Sequence, residues 1–289
     1  MWTSAVILQF LISGLTQGSV YALIALGFMV IYNSSEIINF AQGEFVMLGG
    51  MVAVSLYSLG LPLPLAIILA IGAVTLFGIG FQHVAIRPLK KATPFAVIIL
   101  TIGASIAIRG LAMLLWGKDT FSLPVFVAGN PIILGGAAII PQQVIILGTA
   151  IVLMLGLHLF FKHTLTGQAL RANAVNRQGA SLSGIKPEWM LKLSFAISAA
   201  LGSVSGIVIA PTNLTSYDVG IMLGLKGFVV AIIGGLNSFV GTICGGLLLG
   251  VIESLGAGFI SSQYRNAITF GLLILVLFIR PNGIFGRKS

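Results

Sequence analysis

Apolar runs long enough to span hydrocarbon follow one another along almost the whole chain, and this pattern restricts the fold more than any other feature. A helix needs about 20 mostly apolar residues to cross a bilayer core. Such runs cover 7–32, 37–59, 61–81, 94–116, 142–161, 191–210, 220–236, 239–255 and 266–279, the seventh and the last being short. Of the 289 residues, 57% are hydrophobic and 7% charged. A soluble domain is about 25% charged, so a water-soluble fold would have almost nothing to place on its surface. Lipid is therefore the solvent, and in lipid each backbone N–H and C=O must be satisfied inside the protein, which selects helices. The expected fold is all-α, a polytopic transmembrane helix bundle of about nine spans, with about eight to ten as the range. No polar stretch is long enough for a separate soluble domain, so 1–289 reads as a single membrane domain.

The net charge of +9 fits this reading. Membrane proteins keep Lys and Arg in cytoplasmic loops, and here the basic residues cluster in loops, so no nucleic-acid partner is expected. The segment 83–93 carries Arg87, Lys90 and Lys91; 162–188 carries Lys162, Arg171, Arg177 and Lys186; the tail carries Arg280, Arg287 and Lys288. All three should be cytoplasmic. The count between them requires 220–236 to cross, with Lys226 snorkelling toward the outer interface. The N-terminus is then outside, and its apolar run lacks the basic flank and short length of a cleaved signal peptide. Cys244 is the only cysteine, which excludes an intrachain disulfide and reads as a small packing residue.

Small residues recur four apart at Gly14/Gly18, Gly202/Gly206, Gly220/Gly224, Gly241/Gly245 and Gly246/Gly250. Apolarity alone does not drive helices together in lipid, so close backbone approach at small residues does. Gly234-Gly235 and Gly245-Gly246 have a second reading as helix breaks beside a cavity, with packing preferred.

No phosphate-binding G-x-x-x-x-G-K-[ST] loop, H-E-x-x-H or G-x-S-x-G occurs, and His83, His158 and His163 are scattered. An enzyme, a metal site or a cofactor is not expected. Charges inside membrane helices are expensive and usually face a bundle interior or a water cavity. Asn39, Gln42 and Glu44 form a polar group at the edge of the second span, read as a wall of a substrate path or as an interfacial turn. Glu36 reads as part of that turn. Arg109 reads as a partner of Glu44 or Glu253, or as a side chain snorkelling outward, with snorkelling preferred. Glu253 reads as a substrate-path residue or as a buried structural hydrogen-bonding group.

The segment 162–188 is the longest basic loop. Its Ala and Leu spacing predicts a short amphipathic helix carrying Arg171, suited to insertion into a partner's groove. Here the sequence resembles the permeases of branched-chain amino-acid ABC importers, the LivH type. The residues that carry the resemblance are Gly167, Ala169, Arg171, Ala172, Asn176, Arg177, Ala180, Gly184 and Ile185. The stretches 14–27, 38–44, 234–250 and 280–286 resemble the family too, so the likeness runs nearly the full chain in order. Gln42 departs from the His of many relatives, and Gln178-Gly179 from a common acidic residue.

The resemblance implies a docking loop at 162–188, with Gly167, Ala169, Leu170, Arg171, Ala172, Asn176, Arg177 and Gly184 facing an ATPase. It implies a second homologous permease, two ABC ATPase subunits and an extracytoplasmic solute-binding protein as partners, beside lipid and a small-molecule solute. It implies a bacterial plasma (inner) membrane location and import of branched-chain or related amino acids, with no ATPase site in this chain. Urea and short-chain amide importers share the motifs. A proton-coupled carrier using Glu44 or Glu253 is the rival from another class.

Overall fold

The structure is a computed structural model that describes residues 4–89 and 93–286. Lys90, Lys91, Arg287 and Lys288, counted above among the loop charges, lie outside the described residues. The described residues form α1 (Ser4–Ser35), α2 (Gln42–Ser58), α3 (Leu63–Phe81), α4 (Pro94–Trp116), α5 (Pro141–His163), α6 (Leu165–Val175), α7 (Arg177–Leu182), α8 (Pro187–Asn213), α9 (Val219–Gly234), α10 (Phe239–Phe259) and α11 (Arg265–Ile279). The short antiparallel strands β1 (Ile132–Leu134) and β2 (Ala137–Ile139) make a hairpin in the segment between α4 and α5. The fold is the expected all-α bundle. Seven helices are long and apolar enough to cross a membrane.

The other two runs that were expected to cross give shorter helices. The run 37–59 yields a helix of 17 residues and the run 220–236 one of 16. At 1.5 Å per residue these reach about 25 Å, short of a hydrocarbon core of about 30 Å. Non-helical chain precedes each of them. Residues 37–41 lead into α2, whose Gln42 already lies against Gly27 of α1. From the end of α8 the chain passes Thr215, bridged to Phe121, and α9 begins with Gly220 packed on Gly43 of α2. The first turns of α2 and α9 therefore meet inside the bundle.

α1 is the central helix. Of its most apolar window 89% is buried, against 22% for α3, α4 and α5 and 11% for the last span. α10, α8, α9 and α5 surround α1, and the outer helices turn most of their side chains outward. Small residues set the contacts, as their spacing predicted. A Cβ at Gly18 would stand 2.6 Å from the Gly246 carbonyl oxygen, and one at Gly14 2.7 Å from Val251 Cα. Two of the predicted small-residue pairs thus face each other at one α1–α10 crossing. Gly206 packs on the Val46 backbone of α2, and Gly224 on Gly43.

This register corrects the reading of Cys244. Gly241, Gly245 and Gly246 take the inner face of α10, so Cys244 falls outside it and is exposed. It also divides the Gly-Gly pairs. Gly245-Gly246 lies within α10 and packs. Gly234-Gly235 ends α9, with Gly235 at φ +95°, a backbone region that glycine enters without steric penalty.

The two ends of the bundle differ in chemistry. At one end α6 meets the end of α1, where Asn173 donates to the Ser34 carbonyl at 3.0 Å. Arg87, beyond a π-helical turn that extends α3, lies 3.6 Å from Glu188 at the start of α8. The C-terminal segment joins the same end through Ile284 N–H to Ile233 O, 2.8 Å. The opposite end carries the β-hairpin, pinned to α1 by paired Gln9–Ala138 hydrogen bonds of 2.8 and 3.1 Å. The basic end is the one that the positive-inside rule assigns to the cytoplasm, because positive loops resist translocation.

Candidate functional site

The residues singled out from the sequence fall into three places. The first is the start of α2. Asn39 is 1% exposed; its Oδ1 accepts from Ala41 N–H at 3.1 Å, and its Nδ2 has no partner among the described residues. Gln42 is fully buried. Its Nε2 donates to the Ser198 carbonyl at 3.1 Å, and its Oε1 accepts from the Ser198 hydroxyl at 2.5 Å. That hydroxyl also lies 2.9 Å from the Gly27 carbonyl. Gln42 therefore ties α1, α2 and α8 together through Ser198, which the sequence reading missed.

Glu44 lies on another face of α2, toward α4. Its Oε1 accepts from Ser105 Oγ at 2.7 Å and lies 3.5 Å from Arg109 Nε. Its Oε2 is buried, has no partner among the described residues and faces Gly220. The preference for a snorkelling Arg109 is corrected here. The guanidinium lies on the inner side of α4, where a buried carboxylate supplies more than the lipid interface can. Glu36 takes the bland reading: it is exposed, at φ +58°, in the turn after α1.

Arg109→Leu should destabilise the protein by about 1–3 kcal/mol, the range for leaving a buried polar group without its partner. Glu44→Gln in the same chain should restore most of that. Melting of the purified variants in detergent measures both, and equal losses in the single and double variants would show that the pair is not coupled.

The second place holds Glu253, well apart from Glu44. Glu253 of α10 is 2% exposed, and its Oε1 pairs with Nζ of Lys226 on α9. The same oxygen accepts from Thr269 of α11 at 3.1 Å, and Oε2 accepts from Tyr21 of α1 at 2.7 Å. Lys226 also reaches the Tyr21 hydroxyl at 3.2 Å. Four helices thus converge on one ion pair. Lys226 was expected to snorkel outward; it is 6% exposed and turns inward. A charge pair whose remaining lone pairs are hydrogen-bonded is tolerable in low dielectric, whereas either charge alone is not. Tyr21 and Thr269 were missed, although Gln17 and Tyr21 stand four apart on an apolar helix and so mark a polar stripe on one face.

The third place is the basic end. The loop 162–188 contains two helices rather than one. Thr164 caps α6 through Gly167 N–H at 3.0 Å, and Asn176 caps α7 through Gly179 N–H at 2.8 Å. Gly167 is required because a Cβ there would stand 2.7 Å from Phe161 Cα, where α6 folds back on α5. Leu170, Asn173 and Ala180 are buried, and Ala169 is half-buried. Arg171, Ala172, Asn176 and Arg177 are exposed on the other side, and Gly184, at φ +83°, closes α7. Leu165, Val175 and Leu182 are each more than 85% exposed among these charges. A rigidly anchored helix pair with a mixed basic and apolar outer face is a protein-contact surface in form.

Seven helices long and apolar enough to cross a membrane, buried charges between them and a built surface at the basic end have the form of a multi-pass membrane protein. Residues 10–277 match the family described as "Branched-chain amino acid transport system / permease component", and the chain belongs to that family. The high-affinity branched-chain amino acid transport system permease protein BraD of Pseudomonas aeruginosa is 36% identical, covering 98% of this chain and 96% of that one. The corresponding LivH of Escherichia coli K12 is 33% identical with the same coverage. Among solved structures, PsaBC from Streptococcus pneumoniae in complex with Fab matches with a TM-score of 0.52 at 15% identity, covering 95% of this chain and 92% of that one. That likeness is one of fold. The chain is a multi-pass permease component of the inner membrane.

Proposed function

We propose that this chain is one permease subunit of an ATP-driven importer for branched-chain or related amino acids. Its 289 residues act as a single permease domain. It works with a second homologous permease, two ABC ATPase subunits and an extracytoplasmic solute-binding protein. The observation that carries this reading is the α6–α7 pair, whose inner face is locked to α1 and α5 while Arg171, Ala172, Asn176 and Arg177 face out. Such a surface transmits force only if both faces are held, one by the bundle and one by a moving partner. ATP-dependent closure of the ATPase pair would pull α6 and, through Asn173, the end of α1. Net import then requires that the two bundle states bind the solute differently.

The substrate path is assigned to the region where α2 and α9 begin. Interrupted helices whose first turns meet inside a bundle recur as solute sites in transporters. Asn39 and Glu44 each hold one unpartnered polar atom there, while Gln42 holds the surrounding helices in place. Glu253 belongs to the path as the anchored partner of Lys226 on α9, the helix that would move.

The test is to tag the chain, solubilise its native membranes in mild detergent and identify what co-purifies. A second permease and P-loop ATPases should be recovered. The double variant Arg171→Glu/Arg177→Glu should remain monodisperse but lose the ATPases, and leucine uptake should fall by about tenfold or more, since like-charge contact at an interface costs several kcal/mol. Leucine uptake competed by isoleucine and valine but not by urea or acetamide supports the amino-acid assignment. Uptake by the chain alone in ATP-free vesicles would replace this reading with a proton-coupled carrier.

A further inference from the structure

A cavity of about 260 Å³ lies between α1, α5, α8, α10 and α11, at the half of the bundle away from the basic loops. The two charged residues that line it are Glu253 and Arg265. Glu253 is already neutralised by Lys226, and both its oxygens accept hydrogen bonds. Arg265, the first residue of α11, is exposed, and no carboxylate among the described residues lies within ion-pair distance of it. The cavity therefore carries one uncompensated positive charge. Two helix N-termini reinforce it: Gln143 sits in the first turn of α5, and Arg265 opens α11. The positive ends of both helix dipoles thus lie at the cavity wall.

The rest of the lining completes a chemical description. Gln17, Gln143 and Asn213 contribute side-chain amides. Gln143 Oε1 accepts from Ile140 N–H at 3.1 Å, while its NH2 makes no hydrogen bond within the described residues. Val20, Ile146 and Ile209 form an apolar wall. Drug-sized ligands occupy pockets of about 300–1,000 Å³, so this cavity is on the scale of one smaller solute. A guanidinium presents a fork of donors that matches a carboxylate.

We propose that this cavity is an extracytoplasmic binding site for the α-carboxylate of a small aliphatic amino acid. Arg265 holds the carboxylate, the amides orient the molecule, and the Val20–Ile146–Ile209 wall receives its side chain. The proposal rests on the importer reading for the identity of the solute. It adds a station beside the Lys226–Glu253 pair, of which Glu253 lines the cavity.

The site can be read without relying on transport. Cys244 is the chain's only cysteine, so Cys244→Ser clears the background, and Thr212→Cys places a reporter on exposed cavity lining. Ser13→Cys, on the α1 side of the cavity, is the second reporter should the first disturb α8. In right-side-out vesicles holding the native complex, an anionic methanethiosulfonate should react faster than its cationic analogue. Arg265→Gln should abolish that preference, and Arg265→Lys should keep it. L-Leucine should slow the reaction, and L-leucinamide, which lacks the carboxylate, should not.

An unchanged charge preference in Arg265→Gln, or equal protection by leucine and leucinamide, overturns the carboxylate site. Leucine uptake by the same vesicles separates the two readings. Uptake without protection at either reporter overturns the site and leaves the importer standing. Protection without uptake keeps the site and sinks the importer. Neither uptake nor protection overturns both.

Discussion

Lys226→Met should be among the most damaging single changes in this protein, lowering stability by about 3–5 kcal/mol, the range for removing one partner of a buried ion pair. The reason is the state in which it leaves Glu253. That carboxylate is 2% exposed and receives hydrogen bonds from Tyr21 and Thr269, but neither supplies a compensating charge. The loss should appear as a lower melting temperature of the purified protein and as aggregation on size exclusion after mild heating. Adding Glu253→Gln should return most of the stability, because an amide needs no counter-charge. A single variant that melts with the wild type would mean that the pair does not hold α9 to α10. A double variant no better than the single would mean that packing, and not charge, is what Lys226 contributes.

Gly206→Val is expected to have a comparable effect by an unrelated route. A Cβ at this position points into the Val46 carbonyl of α2, with the Gly50 nitrogen 3.2 Å away. The neighbours are backbone, so no side chain can swing aside, and α2 and α8 must separate. Overpacking typically costs about 1–3 kcal/mol and sometimes more, and a backbone-to-backbone crossing belongs at the upper end. Gly148→Ala on α5 is the control. No atom lies within 4 Å of a Cβ there, so it should be neutral or slightly stabilising through helix propensity of up to about 1 kcal/mol. Expression level and melting temperature of the two variants, compared side by side, test the assignment. Similar behaviour in both would show that glycine content, not this particular crossing, is what matters.

Much of the bundle was legible because its causes are local. Hydrocarbon thickness fixes how many apolar residues a pass needs, so α1, α3, α4, α5, α8 and α10 could be placed from runs of apolar residues. The small-residue pairs were legible for the same reason, since Gly14/Gly18 and Gly246/Gly250 can serve only a close crossing. Which pair meets which is a long-range fact, and no single sequence contains it. The same limit governs the charges. Lys226 and Glu253 were each visible as costly, but whether a buried lysine snorkels or pairs depends on a partner 27 residues away on another helix. Arg109 failed for that reason too: its carboxylate lies on α2, two helices earlier. The late start of α2 was hidden because Ile37 and Ile38 continue the apolar run although the backbone there is not helical. At the basic end the capping residues Thr164 and Asn176 were in plain view, and the short helix carrying Arg171 was read, but the second helix that Asn176 starts was not. The outward set of Arg171, Ala172, Asn176 and Arg177 follows the resemblance, whereas the inward anchor Asn173 could be found only from its bond to Ser34.

The burial of α1 bears on how the protein is made. α1 leaves the ribosome before every helix that encloses it, yet it ends at the centre. Its crossing with α10 joins Gly14 and Gly18 to Gly246 and Gly250, and the partner of Tyr21 is 232 residues downstream. Until α8 and α10 enter the membrane, the α1 seam and its polar stripe face lipid or an attendant insertion factor. A nascent chain halted after α7 would expose that seam with no internal means of covering it, which gives membrane quality control a clear mark by which to separate unfinished chains from finished ones.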